Sequence, residues 1–185
     1  MKRFCTTLLL LVFALFLASC SATPADFVAL PLAERDGTTD EYTAAEGILV
    51  ALSVNAPLSG LEFSCKTDRE GAKITVKIYE ANTDYDTTLS ADPVREETFQ
   101  SLAPKMLWQF NSLPAGDYFI AFSDSEGTQL LRSAAPSREA GGKILHYRNG
   151  AVMTEGTLAL TLLCEKTEEV TQPALITFTY PIIVE

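Results

Sequence analysis

Residues 72 to 124 read AKITVKIYEANTDYDTTLSADPVREETFQSLAPKMLWQFNSLPAGDYFIAFSD. In this stretch Ile74, Val76 and Ile78 alternate with Thr75, Lys77 and Tyr79, the period-2 pattern of a half-buried strand. Tyr118, Ile120 and Phe122 alternate in the same way with Phe119, Ala121 and Ser123. Between them Pro114 presets a turn, and Gly116 can take a positive φ before the chain re-enters the sheet. The acidic run NTDYDTTLSADP reads as a loop, VREETFQ and MLWQF as further strands. Such a series is the middle of an antiparallel β-sandwich.

Working outward, the same grammar continues. Gly47 to Val54 and Leu61 to Lys66 read as buried strands, and Thr157 to Lys166 as a long apolar one. Thr128 to Arg132 is a short strand. Lys143 to Arg148 and Ala151 to Glu155 flank Asn149-Gly150, the strongest local hairpin signal because a type I′ turn needs positive φ twice. Phe27 to Leu32 reads as an edge strand, where Pro31 is tolerated. Arg35 to Glu46 and Ser133 to Gly142 read as loop, and Leu175 to Val184 as a last strand broken by Pro181. Outside the first twenty residues no convincing helical period is found.

Those first residues form an address. Lys2 and Arg3 precede the apolar run from Thr7 to Leu17, and Leu17-Ala18-Ser19-Cys20 ends it with small residues before a cysteine. The run is too short to remain as a membrane span. It resembles the lipobox of bacterial lipoproteins, which implies cleavage before Cys20 and diacylation of that cysteine; an ordinary secretory signal is the other reading. Residues 1–19 are then the signal peptide, 20–46 the lipidated cysteine with tether and approach, and 47–185 the domain. The protein is expected in the cell envelope, anchored to a membrane through acyl chains on Cys20. Removing residues 1–19 takes away two of 14 basic residues and none of the 24 acidic ones, so the formal balance is 12 − 24 = −12. So acidic a body is repelled by phosphate backbones, and no nucleic acid is expected as partner.

Of four cysteines, Cys65 and Cys164 remain in the domain. Each shares strand parity with leucines or phenylalanine, so both point inward. A disulfide between them and a pair of free buried thiols are equally compatible with that placement. No C-x-x-C spacing suggests a metal site.

The order LEFSC, ITVKIYEANTDYDTTLSADPVREETF, MLWQFNSLPAGDYFIAF and ILHYRNG, from Gly47 to Lys166, resembles jelly-roll domains of galactose-binding-like type. Its marks are Asp84, Tyr85, Thr88 and Pro93 in the loop, Leu113 to Gly116 with Tyr118 in the turn, and Tyr147, Asn149 and Gly150 in the hairpin. The resemblance implies an all-β jelly-roll sandwich, of the kind found as carbohydrate-binding-module-like domains, and a tendency to bind glycans.

An enzyme needs converging groups of shifted pKa. His146 is the sole histidine and no nucleophile motif accompanies it, so no catalytic residue is expected. A sugar site needs an aromatic platform and a few planar polar groups. Tyr79, Tyr85, Trp108 and Tyr147 are the candidate platforms; Asp84, Asp86, Arg132 and Asn149 are the polar candidates. Trp108 shares parity with Met106 and Phe110 and also reads as core, whereas Tyr79 sits on the polar parity of its strand and is expected exposed. Asp84, Asp86 and Asp92 offer oxygen ligands to calcium, but their spacing fits no EF-hand pattern and the loop lacks the glycine at the sharp turn. The expectation is a non-catalytic domain without cofactor, recognising carbohydrate or a cell-surface protein; a structural module of an envelope assembly is the alternative.

Overall fold

The computed structural model describes residues 27–33, 40–82, 84–133, 144–153 and 156–177. The segment read as a signal, Cys20 and most of the stretch read as linker lie outside these residues. Within them the chain forms β1 (Phe27–Pro31), β2 (Asp40–Ala44), β3 (Ile48–Val54), β4 (Leu58–Thr67), β5 (Ile74–Glu80), α1 (Tyr85–Ser90) and β6 (Arg95–Phe99). There follow β7 (Lys105–Leu113), β8 (Gly116–Ser123), β9 (Thr128–Ser133), β10 (Ile144–Arg148) and β11 (Ala151–Met153). The last elements are β12 (Thr157–Leu158), β13 (Leu160–Glu165) and β14 (Leu175–Ile176).

Two antiparallel sheets pack face to face, a β-sandwich compatible with a jelly roll. The first is built on β4, which pairs with β7 along most of its length, with β13 over its first half and with β9 at Cys65–Thr67. Strand β1 pairs with β13, and β2 and β12 pair with β9. The second sheet runs β11-β10-β3-β8-β5-β6, with β14 beside β3.

The inward alternation of both sheets makes the core. Val50, Leu52, Leu61, Phe63, Ile74, Val76, Ile78, Trp108, Tyr118, Ile120, Phe122 and Leu162 form one buried cluster. Phe63 packs edge-on against Phe122 and Phe99, at 5.5 and 6.0 Å between ring centroids. The LPAG turn is locked from inside, since the Tyr118 hydroxyl donates to the Pro114 carbonyl at 2.6 Å. Burial pushes that phenol up to about 12. The Asn149-Gly150 hairpin has φ of 50° and 83°, and Arg148 faces Ala151 across it, as a two-residue type I′ loop requires.

Two readings change, and one open alternative closes. The polar run before residue 47 contains β2, held to β9 by cross-strand pairs that include the Arg132–Glu41 ion pair at 2.9 Å. Polar composition suits it because it is an edge strand. With β1, it extends the sandwich into the segment read as approach. The acidic loop contains the six-residue helix α1. Finally, Cys65 and Cys164 are free and buried. Cys164 stands opposite Leu58 and Cys65 opposite Leu130. Seven residues of β4 separate the two positions, roughly 20 Å at about 3.3 Å each, so no disulfide can join them.

Candidate functional site

The sequence candidates gather mainly where α1 docks on the outer face of the second sheet. Asp84 is the N-cap: its Oδ1 accepts from the Thr87 amide at 2.7 Å and its Oδ2 from the Thr87 hydroxyl at 2.9 Å. Thr88 faces inward and its hydroxyl donates to the Asp84 carbonyl at 2.7 Å while accepting from the Asn82 amide at 2.8 Å. These bonds aim Tyr85 at the sheet. Its ring lies 5.0 Å from Tyr147 and 6.2 Å from Phe119, and burial raises its phenol, a shift that the nearby Gly150 backbone opposes. Leu49, Ala51, Tyr79, Phe119 and Tyr147 thereby form a second, smaller core.

That core corrects the expectation for Tyr79. The residue is 8% exposed, because Leu49, Phe119 and Tyr147 surround the polar-parity side of β5 that the sequence assigned to solvent. Tyr147 is equally covered, and burial raises the phenols of both. Neither offers a free ring face for a sugar. Trp108 lies in the main core, between Phe99 at 6.4 Å and Phe110 at 4.8 Å. Only Tyr85, Asp84, Asp86 and Asn149 keep surface around the helix and the hairpin tip. Arg132 sits apart, paired with Glu41.

The other expected players are equally occupied. His146 is buried, and its Nε2 accepts from the Leu158 amide at 3.2 Å. Burial lowers its pKa to about 4. Burial also raises both thiols, Cys164 to about 11, which removes them as nucleophiles. Among the described residues no three His, Cys, Asp or Glu side chains are grouped to hold a metal ion.

A cleft lined by described residues lies elsewhere, at one end of the sandwich. The β4–β5 turn, the β8–β9 turn and the β2–β3 turn enclose a cleft of about 720 Å³. Its wall carries Glu46, Arg69, Glu70, Lys73, Asp124 and Glu126, with Ala44 and Ala72 among them. The turns are tied together: Glu46 accepts from the Ser125 amide at 3.1 Å and hydroxyl at 2.9 Å, and Arg69 pairs with Glu126 at 2.7 Å. The Thr67 hydroxyl donates to the Gly127 carbonyl at 3.0 Å. Asp124 is held at φ 47° where the chain leaves β8. The volume falls within the usual range for small-ligand sites, and six of the twelve residues that line it are charged. Such a wall suits hydroxyl groups.

None of the sequence candidates lines this cleft. The signal was present in TDREG and SDSEG, two charged turns, but only the register of four strands brings them face to face. The chain matches no protein-family model, and no curated protein matches it.

Proposed function

We propose that the protein is a lipid-anchored component of the cell envelope whose sandwich is a non-catalytic binding domain, recognising carbohydrate in the turn-end cleft. The carrying observation is the cleft itself: about 720 Å³, rimmed by carboxylates, a guanidinium and an ammonium on tied turns. Charged hydrogen-bonding groups of this kind can exchange water for sugar hydroxyls, and turns already tied together lower the backbone ordering cost. A binding rather than a catalytic role is supported by the burial of His146, Cys65 and Cys164 in hydrophobic surroundings. The anchor rests on the pattern around Cys20.

A glycan array probed with residues 21–185 tests this reading. Arg69→Ala is the companion variant: the side chains of its ion pair are 58% and 87% exposed, so its loss leaves the fold intact. Binding by the parent and its loss in the variant are expected. A uniformly blank array would sink the carbohydrate reading.

The second reading, a structural or protein-interaction module, is favoured by one observation. Leu107 is 53% exposed near the start of β7, which among the described strands pairs only with β4. An open edge with a protruding leucine can receive another strand. Association lost on Leu107→Lys, with a blank array, would move the assignment there.

A further inference from the structure

We infer that the end of the sandwich opposite the cleft is a lipid-contacting surface, so that the protein stands end-on with its cleft turned away from the bilayer. The inference rests on the lipid-anchor part of the proposed function and is independent of what the cleft binds. It starts from the tether. Six residues separate Cys20 from Phe27, the first residue of β1, and seven Cα–Cα steps reach at most roughly 25 Å when fully extended.

The place where that tether enters is set by the register. Phe27 faces Glu165, whose amide donates to the Pro57 carbonyl at 2.9 Å, so the chain arrives beside the start of β4. The cleft begins just past the other end of the same strand, at Arg69. The 10 residues of β4 therefore stand between anchor and cleft, roughly 33 Å at about 3.3 Å per residue. A tether of this length keeps the first end at the membrane and cannot bring the second to it without laying the whole domain over.

The surface chemistry of the two ends differs in the direction this requires. Phe27 is 43% exposed at the tether end. Ile176, 38% exposed, is there as well, because β14 pairs with Ser53 and Val54 at the end of β3, next to the same turn. Two of the four large apolar side chains exposed among the described residues thus flank one short turn, Asn55 to Pro57. The cleft end carries charged side chains, and its exposed ring, Tyr42, is covered by the Lys66 ammonium at 3.9 Å. Glu168 and Glu169 are also exposed in the segment between β13 and β14, so the contact is with the headgroup layer and its boundary, not the hydrocarbon centre. There an aromatic and an aliphatic side chain add to the anchoring supplied by the acyl chains.

The test uses the full chain made in a bacterial host. The mass of the N-terminal peptide, and fractionation of Cys20→Ser, judge the anchor alone. Acylated protein is then reconstituted in phosphatidylcholine vesicles with or without brominated acyl chains. Phe27→Trp, Ile176→Trp and Glu126→Trp are compared with the parent, whose only tryptophan is buried. The fluorescence added at positions 27 and 176 is expected to be lost in brominated vesicles, and that added at 126 to be retained. Equal quenching at 126, or none at either 27 or 176, overturns the end-on arrangement even with the anchor intact. An unacylated Cys20 overturns the anchor and this inference together.

Discussion

At the scale of single residues, the same backbone angle has different consequences in different surroundings. Gly71 and Gly156 have φ of 72° and 75°. A Cβ on Gly71 would meet nothing within 4 Å, whereas one on Gly156 would stand 2.8 Å from the Ser133 carbonyl oxygen. Gly71→Ala should therefore cost only the left-handed penalty, about 1–2 kcal/mol. Gly156→Ala should cost clearly more, since a backbone oxygen of β9 cannot step aside. Urea unfolding of both variants checks the ranking, and equal losses would refute it. The thiols make a second prediction at this scale. Cys65 and Cys164 are buried and free, so they should resist a water-soluble thiol reagent until the protein unfolds, and a reductant should leave the melting temperature unchanged. A fall in melting temperature on reduction would mean a disulfide, and with it a different register for β13 on β4.

At the scale of elements, α1 is the instructive case. A helix of six residues cannot persist alone, so its existence rests on its cap and on Tyr85 seated against Phe119 and Tyr147. Asp84→Ala should lower stability by about 1 kcal/mol, and Asp84→Asn by much less, because asparagine caps as well as aspartate. Coincident unfolding midpoints for parent and Asp84→Ala would show the helix to be held by packing alone. The helix also marks the limit of what strand periodicity could tell. Strands β3, β5 and β8, the Pro114 turn and the Asn149-Gly150 hairpin were legible because their cause is local: alternation, a fixed φ, a pair of positive φ values. Tyr79 was misplaced because alternation says which residues share a face, and not whether another element covers that face. Strand β2 was missed because its polar residues stand on an edge, where charge is an advantage. The cleft was illegible for a related reason: Glu46, Arg69 and Asp124 belong to three turns that meet only through long-range pairing.

At the scale of the whole molecule, the two sheets are joined across the core by a side chain that must stay neutral. His146 belongs to β10 in the second sheet and accepts from Leu158 of β12 in the first. On the same strand Arg148 donates to the Thr43 hydroxyl of β2, a second tie between the sheets. A proton on the imidazole would put a charge in buried surroundings and take away the acceptor that the Leu158 amide needs. Burial lowers the folded-state pKa of His146 from 6.5 to about 4. Between those values the unfolded chain binds a proton that the folded one refuses, so stability is full above pH 6.5 and falls as pH drops towards 4. At about 1.4 kcal/mol per unit the loss amounts to roughly 3 kcal/mol, a large share of a domain's stability. His146→Gln keeps an acceptor for the Leu158 amide and removes the titration. Urea unfolding of the two proteins across this range should find the variant less stable near neutrality and the difference closing as the solution is acidified. The many carboxylates titrate in both proteins alike and cancel in the comparison. Curves that remain parallel from pH 7 to pH 4 would show that His146 is not held neutral in the fold, and that the sheets are clasped by their apolar faces and by Arg148 alone.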